Sequence, residues 1–270
     1  MAWAVCSRNQ TDEKHYRARV DLSVDVRTWL PEVIAVPEPG ESEADSAARH
    51  VKPGAIHIYD RGFISYKLLT AHYTKTDAGP WAPLADFVLR LKTALATNSI
   101  KLEVTSTNLL TPAAQAAGLL SDRIVRSPGM AKDFELDVPL REICLAGSDG
   151  KEVRLLTNRL DLDAEIIALL YRYRWQVELF FRWLKSYGNF NHLISQSAGG
   201  VLLHFHVALI GVMLMYLKTG HRPSKYMLAM MSLVAQGATM DEILPILEER
   251  ERQSERDRRS AARRRAKKSS

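Results

Sequence analysis

The chain has 270 residues, of which 46% are hydrophobic and 25% are charged, and this composition predicts a globular protein with one sizeable core or two small ones. The two cysteines, Cys6 and Cys144, have no metal-ligand spacing; they exclude a disulfide scaffold and indicate a reducing cytoplasm. The formal net charge is +6, but residues 256–270 carry a net +7, so residues 1–255 carry −1. Charged residues within 8–14 interrupt any apolar run, so no signal peptide is expected and a cytoplasmic location is predicted.

The first third of the chain has the pattern of an α/β protein. The expected elements, in chain order, are strands at 16–24 and 31–36, a helix at 42–50, a strand at 55–60, a helix at 63–74 and a strand at 87–91. Residues 201–217, further along, are the most apolar stretch, but 17 residues that include His204 and His206 are short for a bilayer. A buried helix packed on the preceding long helix is therefore predicted there, and no membrane partner.

The strand at 55–60 closes on an aspartate. Residues 54–63 read Gly-Ala-Ile-His-Ile-Tyr-Asp-Arg-Gly-Phe, which predicts a buried strand ending at Asp60 and a tight turn into the next helix. An aspartate between strand and helix most often serves as a helix N-cap. From this segment alone, the capping role and a role in chemistry are evenly matched.

Between about residues 94 and 156 the pattern changes to short β-like runs. Strands are expected at 101–105, 134–138, 141–145 and 152–157. The Asp149-Gly150 pair between the last two is typical of a hairpin turn. Asp161 or Asp163 is then expected to cap the long helix that follows.

Four side chains share one polar stripe of the helix predicted over residues 171–185: Tyr171, Arg174, Glu178 and Lys185. At about 100° per residue, they fall within an arc of about 60°. The apolar side chains fall on another arc, which predicts that one face anchors the helix and the other is free for chemistry: Leu170, Tyr173, Val177, Phe180, Phe181 and Leu184. An ordinary surface ladder of ion pairs, each worth about 0.3–0.5 kcal/mol, would also explain the charges.

The spacing Tyr, two residues, Arg, three residues, Glu, six residues, Lys resembles the signature of the DDE transposases of the insertion-sequence-four class. In that family the glutamate is the third catalytic carboxylate, and a strand ending in Asp-Arg-Gly-Phe or Asp-Arg-Gly-Tyr carries the second. The resemblance therefore implies that Asp60 and Glu178 are catalytic and bind metal. Further correspondences at residues 155–161 and 192–197 extend it over most of the chain.

The resemblance implies an α/β, ribonuclease-H-like catalytic domain over residues 1–247, with a β-rich insertion at about 94–156. A basic, disordered tail is expected at 248–270; it could bind DNA phosphates or act only as a solubilising terminus.

The first carboxylate of the family ends the first core strand, upstream of the segment that matches residues 1–5. This strand and its aspartate are therefore expected to be missing, which would leave strand edges of the sheet unpaired. Asp12, Asp21 and Asp25 are the only early aspartates, and each is a weak candidate to substitute.

Cleavage of a phosphodiester builds negative charge on an anionic phosphate, so a carboxylate site needs divalent metal. The hard oxygen ligands suit two Mg²⁺ ions, with Mn²⁺ also possible. Lys185 lies about 10.5 Å along the helix axis from Glu178, and the resemblance implies that Tyr171, Arg174 and Lys185 grip DNA at the transposon ends.

The expected function is metal-dependent nicking and strand transfer at the ends of a transposon, by an incomplete copy of the enzyme. Its partners would be transposon-end and target DNA, and a homodimer on DNA is compatible with this function. The alternative is a non-catalytic DNA-binding remnant of a transposase. A metal-dependent nuclease of different purpose comes third.

Overall fold

The computed structural model describes residues 2–3, 20–28, 30–35, 40–77, 79, 81–92, 100–147, 150–187, 197–220, 233 and 237–266. The chain divides into two compact units. The first comprises Met1–Trp183 and Leu193–Leu203, and the second comprises Leu184–His192 and His204–Ser270.

The first unit opens with a three-stranded antiparallel sheet in the order β1-β2-β3, with strands β1 (Ala2–Trp3), β2 (Val20–Val24) and β3 (Pro31–Ala35). Helix α1 (Glu43–Arg49) follows. The Ser42 hydroxyl accepts a hydrogen bond from the backbone N–H of Asp45 at 3.1 Å, so a serine N-cap fixes the start of the helix close to its predicted position.

A six-stranded mixed sheet forms the centre of the first unit, in the order β4-β7-β11-β10-β9-β8. Its strands are β4 (Ile56–Tyr59), β7 (Asp86–Arg90), β8 (Glu103–Thr107), β9 (Leu119–Arg126), β10 (Leu140–Ala146) and β11 (Glu152–Thr157). β4 and β7 are parallel, and the other neighbours are antiparallel. Among the described residues, β4 is a terminal strand of this sheet.

Buried side chains cover both faces of the six-stranded sheet. Along β7, Phe87 and Leu89 belong to one buried cluster, whereas Val88 belongs to the other, because successive side chains of a strand point to opposite faces. The first cluster is covered by α1, α2 (Tyr66–Thr70) and α4 (Pro128–Phe134), and the second by α3 (Pro112–Ala116) and α5 (Ala164–Tyr187). Each fully buried large aliphatic side chain contributes roughly 1.5–3 kcal/mol.

The helix predicted over residues 63–74 is interrupted. A 3₁₀ turn (Arg61–Phe63) comes first, then α2, and β5 (Tyr73–Lys75) already pairs with β6 (Trp81–Pro83). The Ser65 hydroxyl accepts a hydrogen bond from the N–H of Leu68 at 3.1 Å. This serine cap restarts the helix, which the apolar pattern alone could not indicate.

The region predicted to be β-rich contains three of the four expected strands. Residues 134–138 are not a strand: α4 ends at Phe134, and Glu135 follows in the left-handed region with φ 55°. The hairpin of β10 and β11 forms as predicted. β9 was not predicted, because a bulge in its pairing with β10 disturbs the alternation of its buried residues.

Buried polar groups of the sheet are paired. The guanidinium of Arg141 on β10 binds Asp122 on β9, with Nε–Oδ1 and Nη2–Oδ2 distances of 2.8 and 2.6 Å. His72 is fully buried, and the Tyr59 hydroxyl lies 3.3 Å from its Nε2. Burial lowers the pKa of His72 to about 4. Burial also raises the pKa of the Cys144 thiol on β10 to about 11.

The second unit contains most of α6 (Ala198–Thr219) and all of α7 (Met240–Ala266). Residues 248–266, the described part of the tail that was expected to be disordered, are helical and belong to α7. Ion pairs between acidic and basic side chains three or four residues apart favour this helix, such as Arg252 with Glu249 at 3.6 Å. Within the described part of the chain, no helix has the length and apolar character that would let it cross a membrane.

The apolar helix predicted at 201–217 is present as part of α6, but it is not wholly buried. Phe205 and Leu209 are buried, whereas five aliphatic side chains are exposed: Leu203, Val207, Ile210, Leu214 and Leu217. The sequence could not separate these two sets, because nearly every position in the segment is apolar.

Candidate active site

Asp60 stands at the carboxyl end of β4, immediately before the 3₁₀ turn. Its backbone carbonyl accepts a hydrogen bond from the N–H of Phe63 at 3.0 Å, but its side chain makes no capping hydrogen bond. The Asp60 carboxylate therefore does not act as a helix N-cap. Both of its oxygens contact side chains of α5 instead.

Three contacts link Asp60 and Glu178 through α5. The Tyr171 hydroxyl donates a hydrogen bond to Asp60 Oδ1 at 3.3 Å. Arg174 Nη1 lies 3.7 Å from Asp60 Oδ2 and donates a hydrogen bond of 2.7 Å to Glu178 Oε1. Because one nitrogen contacts both carboxylates, two residues that are distant in sequence face a common point.

Part of the polar stripe of α5 faces the protein, together with Leu170 of the predicted apolar face, which packs against the same buried cluster. The side chains of Phe180, Phe181 and Leu184, also predicted to anchor the helix, lie outside the described residues. Tyr171 packs against the buried cluster that contains Ala164 and Ile167, and these three positions lie on one arc of the helix. Tyr173, which was expected to anchor the helix, is 37% exposed. The face that holds the helix is therefore continuous with the face that carries the polar contacts.

The electrostatics of the site follow from burial and from these contacts. Burial, and then the charge of Asp60, raise the pKa of Tyr171. Burial acts to lower the pKa of Arg174, but the hydrogen bond to Glu178 and the charge of Asp60 outweigh it, so the pKa is raised. Arg174 also lies over the Tyr171 ring, 5.7 Å from its centroid. The site thus holds a fixed positive charge between two carboxylates.

Arg90 is a site residue that the sequence did not single out. It ends β7, parallel to β4, and Tyr59 and Leu89 are register partners, so the end of β7 lies beside Asp60. Arg90 acts on the Tyr171 hydroxyl through a hydrogen bond and its charge, and both lower the pKa of Tyr171. The available signal was one charged residue within the apolar run Phe-Val-Leu-Arg-Leu at the end of a strand.

The segment 155–161, one of the correspondences expected from the resemblance, supports the sheet beneath the site. Asn158 Oδ1 accepts a hydrogen bond from the N–H of Phe87 at 2.9 Å, and Asn158 Nδ2 donates one to the carbonyl of Ala85 at 3.0 Å. Arg159 pairs with Asp86 at 2.8 Å and with Asp161 at 2.7 Å. Asp161 therefore does not cap α5; Asp163 immediately precedes it, and its carbonyl accepts from the N–H of Ile167 at 3.2 Å.

A cleft of about 850 Å³ opens beside the site within the first unit. β2, β3 and α1 line one part of it, and β4 and α5 line another, with Asp60 and Arg174 among the lining residues. The cleft thus runs along β4, a terminal strand of the described six-stranded sheet.

The early aspartates do not join the two carboxylates in the described part of the chain. Asp25 accepts hydrogen bonds from the backbone and side chain of Arg27, which lower its pKa to about 2. Asp21 lies on β2 and lines the cleft. Asp12 lies outside the described residues, as does the side chain of Lys185 on α5.

Two carboxylates suit a Mg²⁺ ion, which proteins often bind through one or two carboxylates together with water and phosphate oxygens. Asp60 and Glu178 fit this requirement, since each side chain is 31% exposed and can exchange a protein contact for another ligand. In the described ranges, no group of three or more His, Cys, Asp or Glu side chains is placed to hold a metal. Two protein ligands are thus what this part of the chain offers.

Comparison with known proteins gives a consistent picture. The family described as "Transposase DDE domain" matches residues 43–214, which is more than half of the chain and includes all five predicted site residues. The "Putative transposase y4zB" of Sinorhizobium fredii is 27% identical over 169 residues, covering 61% of this chain and 43% of that protein.

A second relative shows a shorter match. The "Probable transposase for insertion sequence element IS5377" of Geobacillus stearothermophilus is 35% identical over 75 residues, covering 28% of this chain and 20% of that protein. The matched part of the chain spans less than half the length of either relative.

Proposed function

Since the chain belongs to the DDE transposase domain family, we propose that it is the catalytic domain of a transposase of the insertion-sequence-four class. Its mixed α/β fold with a mixed sheet is consistent with the ribonuclease-H-like architecture of such a domain. The reaction would be cleavage of phosphodiester bonds at the ends of a transposon and transfer of the freed strands to target DNA.

The observation that carries this proposal is the contact of Asp60 and Glu178 with the same Arg174 nitrogen. The two carboxylates come from a strand end and from a helix more than a hundred residues later. Their convergence is what a shared metal site requires, and neither capping nor an isolated ion pair along the helix would require it.

We assign Asp60 and Glu178 as the ligands that would hold Mg²⁺ or Mn²⁺, with two ions in an intact site. Bound metal would supply an activated nucleophile and neutralise the charge that develops on the phosphate. The Tyr171 hydroxyl would orient Asp60 through its hydrogen bond to Oδ1. The positive charges of Arg174 and Arg90 would bind DNA phosphates near the site, with Lys185 further along the helix.

We also propose that the cleft beside β4 is the place of the first core strand of the family, which would bring the first catalytic aspartate. The terminal position of β4 among the described strands and the lining of the cleft by β2 and β4 support this assignment. The catalytic domain would then cover residues 1–247, with the β-rich part at about 94–156 as an insertion. A cytoplasmic location and a homodimer on DNA complete the proposal.

Glu178→Gln tests the catalytic assignment. The substitution keeps the shape of the side chain but removes its charge, so Mg²⁺-dependent nicking of supercoiled DNA should fall by a factor of about 100 or more. Glu165→Gln is the matched control, because Glu165 lies on the same helix about 20 Å from Glu178 along the axis. Equal nicking by wild type and Glu178→Gln would remove Glu178 from the site.

Supplying a strand tests the assignment of the cleft. We expect that a chain extended upstream of Met1 by an alternating apolar segment ending in aspartate will unfold at higher temperature, because the edge of β4 gains a partner. Nicking should also increase with aspartate at the end of that segment, and not with asparagine. An extension that changes neither property would refute the assignment of the cleft to that strand.

One observation favours the alternative of a non-catalytic DNA-binding remnant. Only two carboxylates meet in the described part of the site, and Arg174 engages both. A remnant would bind DNA as tightly with Glu178→Gln as without it, and neither protein would nick DNA. The nicking experiment therefore separates the two functions.

A further inference from the structure

Arg174 occupies an unusual position for a residue of a helical ion pair. Its side chain is only 11% exposed, and it extends beyond its own helix to Asp60, which directly follows β4. An ordinary pair four residues apart would include Glu178 alone and would lie in solvent. Here one guanidinium lies between the two carboxylates that the proposed function assigns to metal.

The charges explain why such a cation is needed. Two carboxylates that converge at a partly buried point repel each other, and the repulsion is relieved only by protonation or by a cation. In the protein without metal, Arg174 is the cation that lies between the two carboxylates. Its guanidinium also lies over the Tyr171 ring. Removal of Arg174 in the absence of metal would destabilise the folded protein, because two partly buried carboxylates would lose their partner.

We propose that Arg174 is an exchangeable counterion: it holds Asp60 and Glu178 in place while the site contains no metal, and it competes with the divalent cation for them. This inference rests on the proposed function, since it takes the two carboxylates as the metal ligands. Metal binding then requires that Arg174 give up its contact with Glu178.

Release of Arg174 links metal binding to DNA binding. A guanidinium freed from the carboxylates keeps five N–H donors and can bind a phosphate with two of them. Phosphate and metal therefore favour the same displaced position of Arg174, and each increases the affinity of the other by the same factor. In the absence of DNA, Arg174 lowers the affinity of the site for metal.

Binding of Mn²⁺ to the full chain without DNA tests the competition, with free Mn²⁺ measured by electron paramagnetic resonance. We expect Arg174→Gln to bind Mn²⁺ about tenfold more tightly than wild type, a difference equivalent to about 1.4 kcal/mol. Two controls remove the same charge. Arg90→Gln removes it next to Tyr171 but not between the carboxylates, and Arg172→Gln removes it at an exposed position of α5.

The controls separate competition from a general effect of charge. The affinity for Mn²⁺ should change less than threefold in Arg90→Gln and remain at the wild-type value in Arg172→Gln. An equal gain in Arg90→Gln and Arg174→Gln would overturn the inference, because it would reflect only the summed field. Weaker binding by Arg174→Gln would overturn it too, because Arg174 would then assist the metal.

Glu178→Gln distinguishes this inference from the proposed function. If wild type and Arg174→Gln bind Mn²⁺ equally tightly, and Glu178→Gln abolishes the binding in both, the competition is refuted. The same result would support the metal site. The lack of any Mn²⁺ binding that depends on Glu178, in wild type and in Arg174→Gln, would refute both.

Stability supplies a second measurement. Arg174→Gln should unfold at a lower temperature than wild type in the presence of a chelator, and Mn²⁺ should raise its unfolding temperature by more than it raises that of wild type. A variant that folds only with Mn²⁺ supports the inference. If Arg174→Gln does not fold at all, Arg174→Lys carries the same test, with a smaller expected gain in affinity.

Discussion

At the scale of single residues, several buried polar side chains of the first unit have definite hydrogen-bond partners. His72 is the clearest, because its Nδ1 lies 2.8 Å from the Leu68 carbonyl and its Nε2 lies 3.3 Å from the Tyr59 hydroxyl. The carbonyl can only accept, so Nδ1 carries the proton. Burial keeps the ring neutral near pH 7, so Nε2 accepts a hydrogen bond from the Tyr59 hydroxyl.

The stability of the protein should therefore fall in mild acid. The pKa of His72 is lowered by burial from 6.5 to about 4, so as the pH falls below 6.5 the unfolded chain binds a proton that the folded chain does not. The stabilisation is complete above pH 6.5 and is lost towards pH 4, with a cost of about 2 kcal/mol between pH 7 and pH 5.

Urea unfolding of wild type and His72→Gln at these two pH values measures this effect. The free energy of unfolding of the variant should depend less on pH across the window, although burial also lowers the pKa of His57 and leaves it some dependence. Identical pH dependence in the two proteins would show that His72 does not control it.

The residues of the site differ in how far the sequence could identify them. Spacing on one helix predicted that Tyr171, Arg174 and Glu178 lie together, and a strand end pointed to Asp60; the structure brings these four side chains into contact. Arg90 could not be found in this way. Its place depends on the parallel pairing of β4 with β7, which no local pattern contains.

At the scale of elements, the sheet depends on side chains that close its strand ends. Asn158 follows β11, and its amide binds the backbone on both sides of Asp86 at the start of β7. β7 in turn carries Arg90 and lies beside the strand that carries Asp60. Asn158 therefore couples the family segment 155–161 to the geometry of the site.

Asn158→Ala should reduce the free energy of unfolding by about 2–3 kcal/mol, because the N–H of Phe87 and the carbonyl of Ala85 both lose their partner. Asn158→Asp is the graded control: it keeps an acceptor for Phe87 but loses the donor to Ala85, so its loss should be smaller. Chemical denaturation gives both values. If Asn158→Asp reduced the free energy of unfolding as much as Asn158→Ala, the hydrogen bond donated to the Ala85 carbonyl would account for the whole effect.

The elements predicted well are those with a strong local signal. The Ser42 cap fixes α1, and β11 spans residues 152–157 as predicted. The prediction failed for local reasons at the helix expected over 63–74 and at strand β9, which was not predicted. The serine cap at Ser65 splits a predicted helix, and the extra residue of β9 in its pairing with β10, Leu120, breaks the period of two that sequence patterns rely on.

The face of α5 shows a limit of a different kind. Its apolar residues suggested one anchoring side, and Leu170 of that side is packed against the buried cluster, but Ala164, Ile167 and Tyr171 belong to the same contact. Alanine and tyrosine are only weakly hydrophobic, so they do not identify a buried helix face in the sequence. Packing against Val88 and Ile143 of the sheet decided the orientation, and that contact is tertiary.

At the scale of the whole molecule, charge is concentrated at one end of the chain. Residues 256–270 carry eight basic residues and one acidic residue, and α7 is helical as far as Ala266. A basic helix can bind phosphates without reading sequence. We therefore propose that this end of the chain binds DNA without contributing to the chemistry.

Deletion of residues 256–270 should therefore weaken DNA binding and make it less sensitive to salt. The slope of log K against log [salt] should become smaller by several units, since each phosphate contact contributes about 0.9. Fluorescence anisotropy with a DNA duplex at several salt concentrations measures the slope.

A triple variant serves as the control for shortening the chain. Arg263→Gln, Arg264→Gln and Arg265→Gln together keep residues of high helix propensity and should reduce the slope by up to about 3. Unchanged slopes in both the deletion and the triple variant would leave the basic end without a role in binding DNA.

The thiol of Cys144 lies 7% exposed on a strand with neighbours on both sides, and its pKa is about 11. At neutral pH it is neither ionised nor within reach of an alkylating reagent. It becomes reactive when the side chains that cover it on its face of the sheet move aside or the strands open, so the rate at which Cys144 is labelled measures local opening around β10.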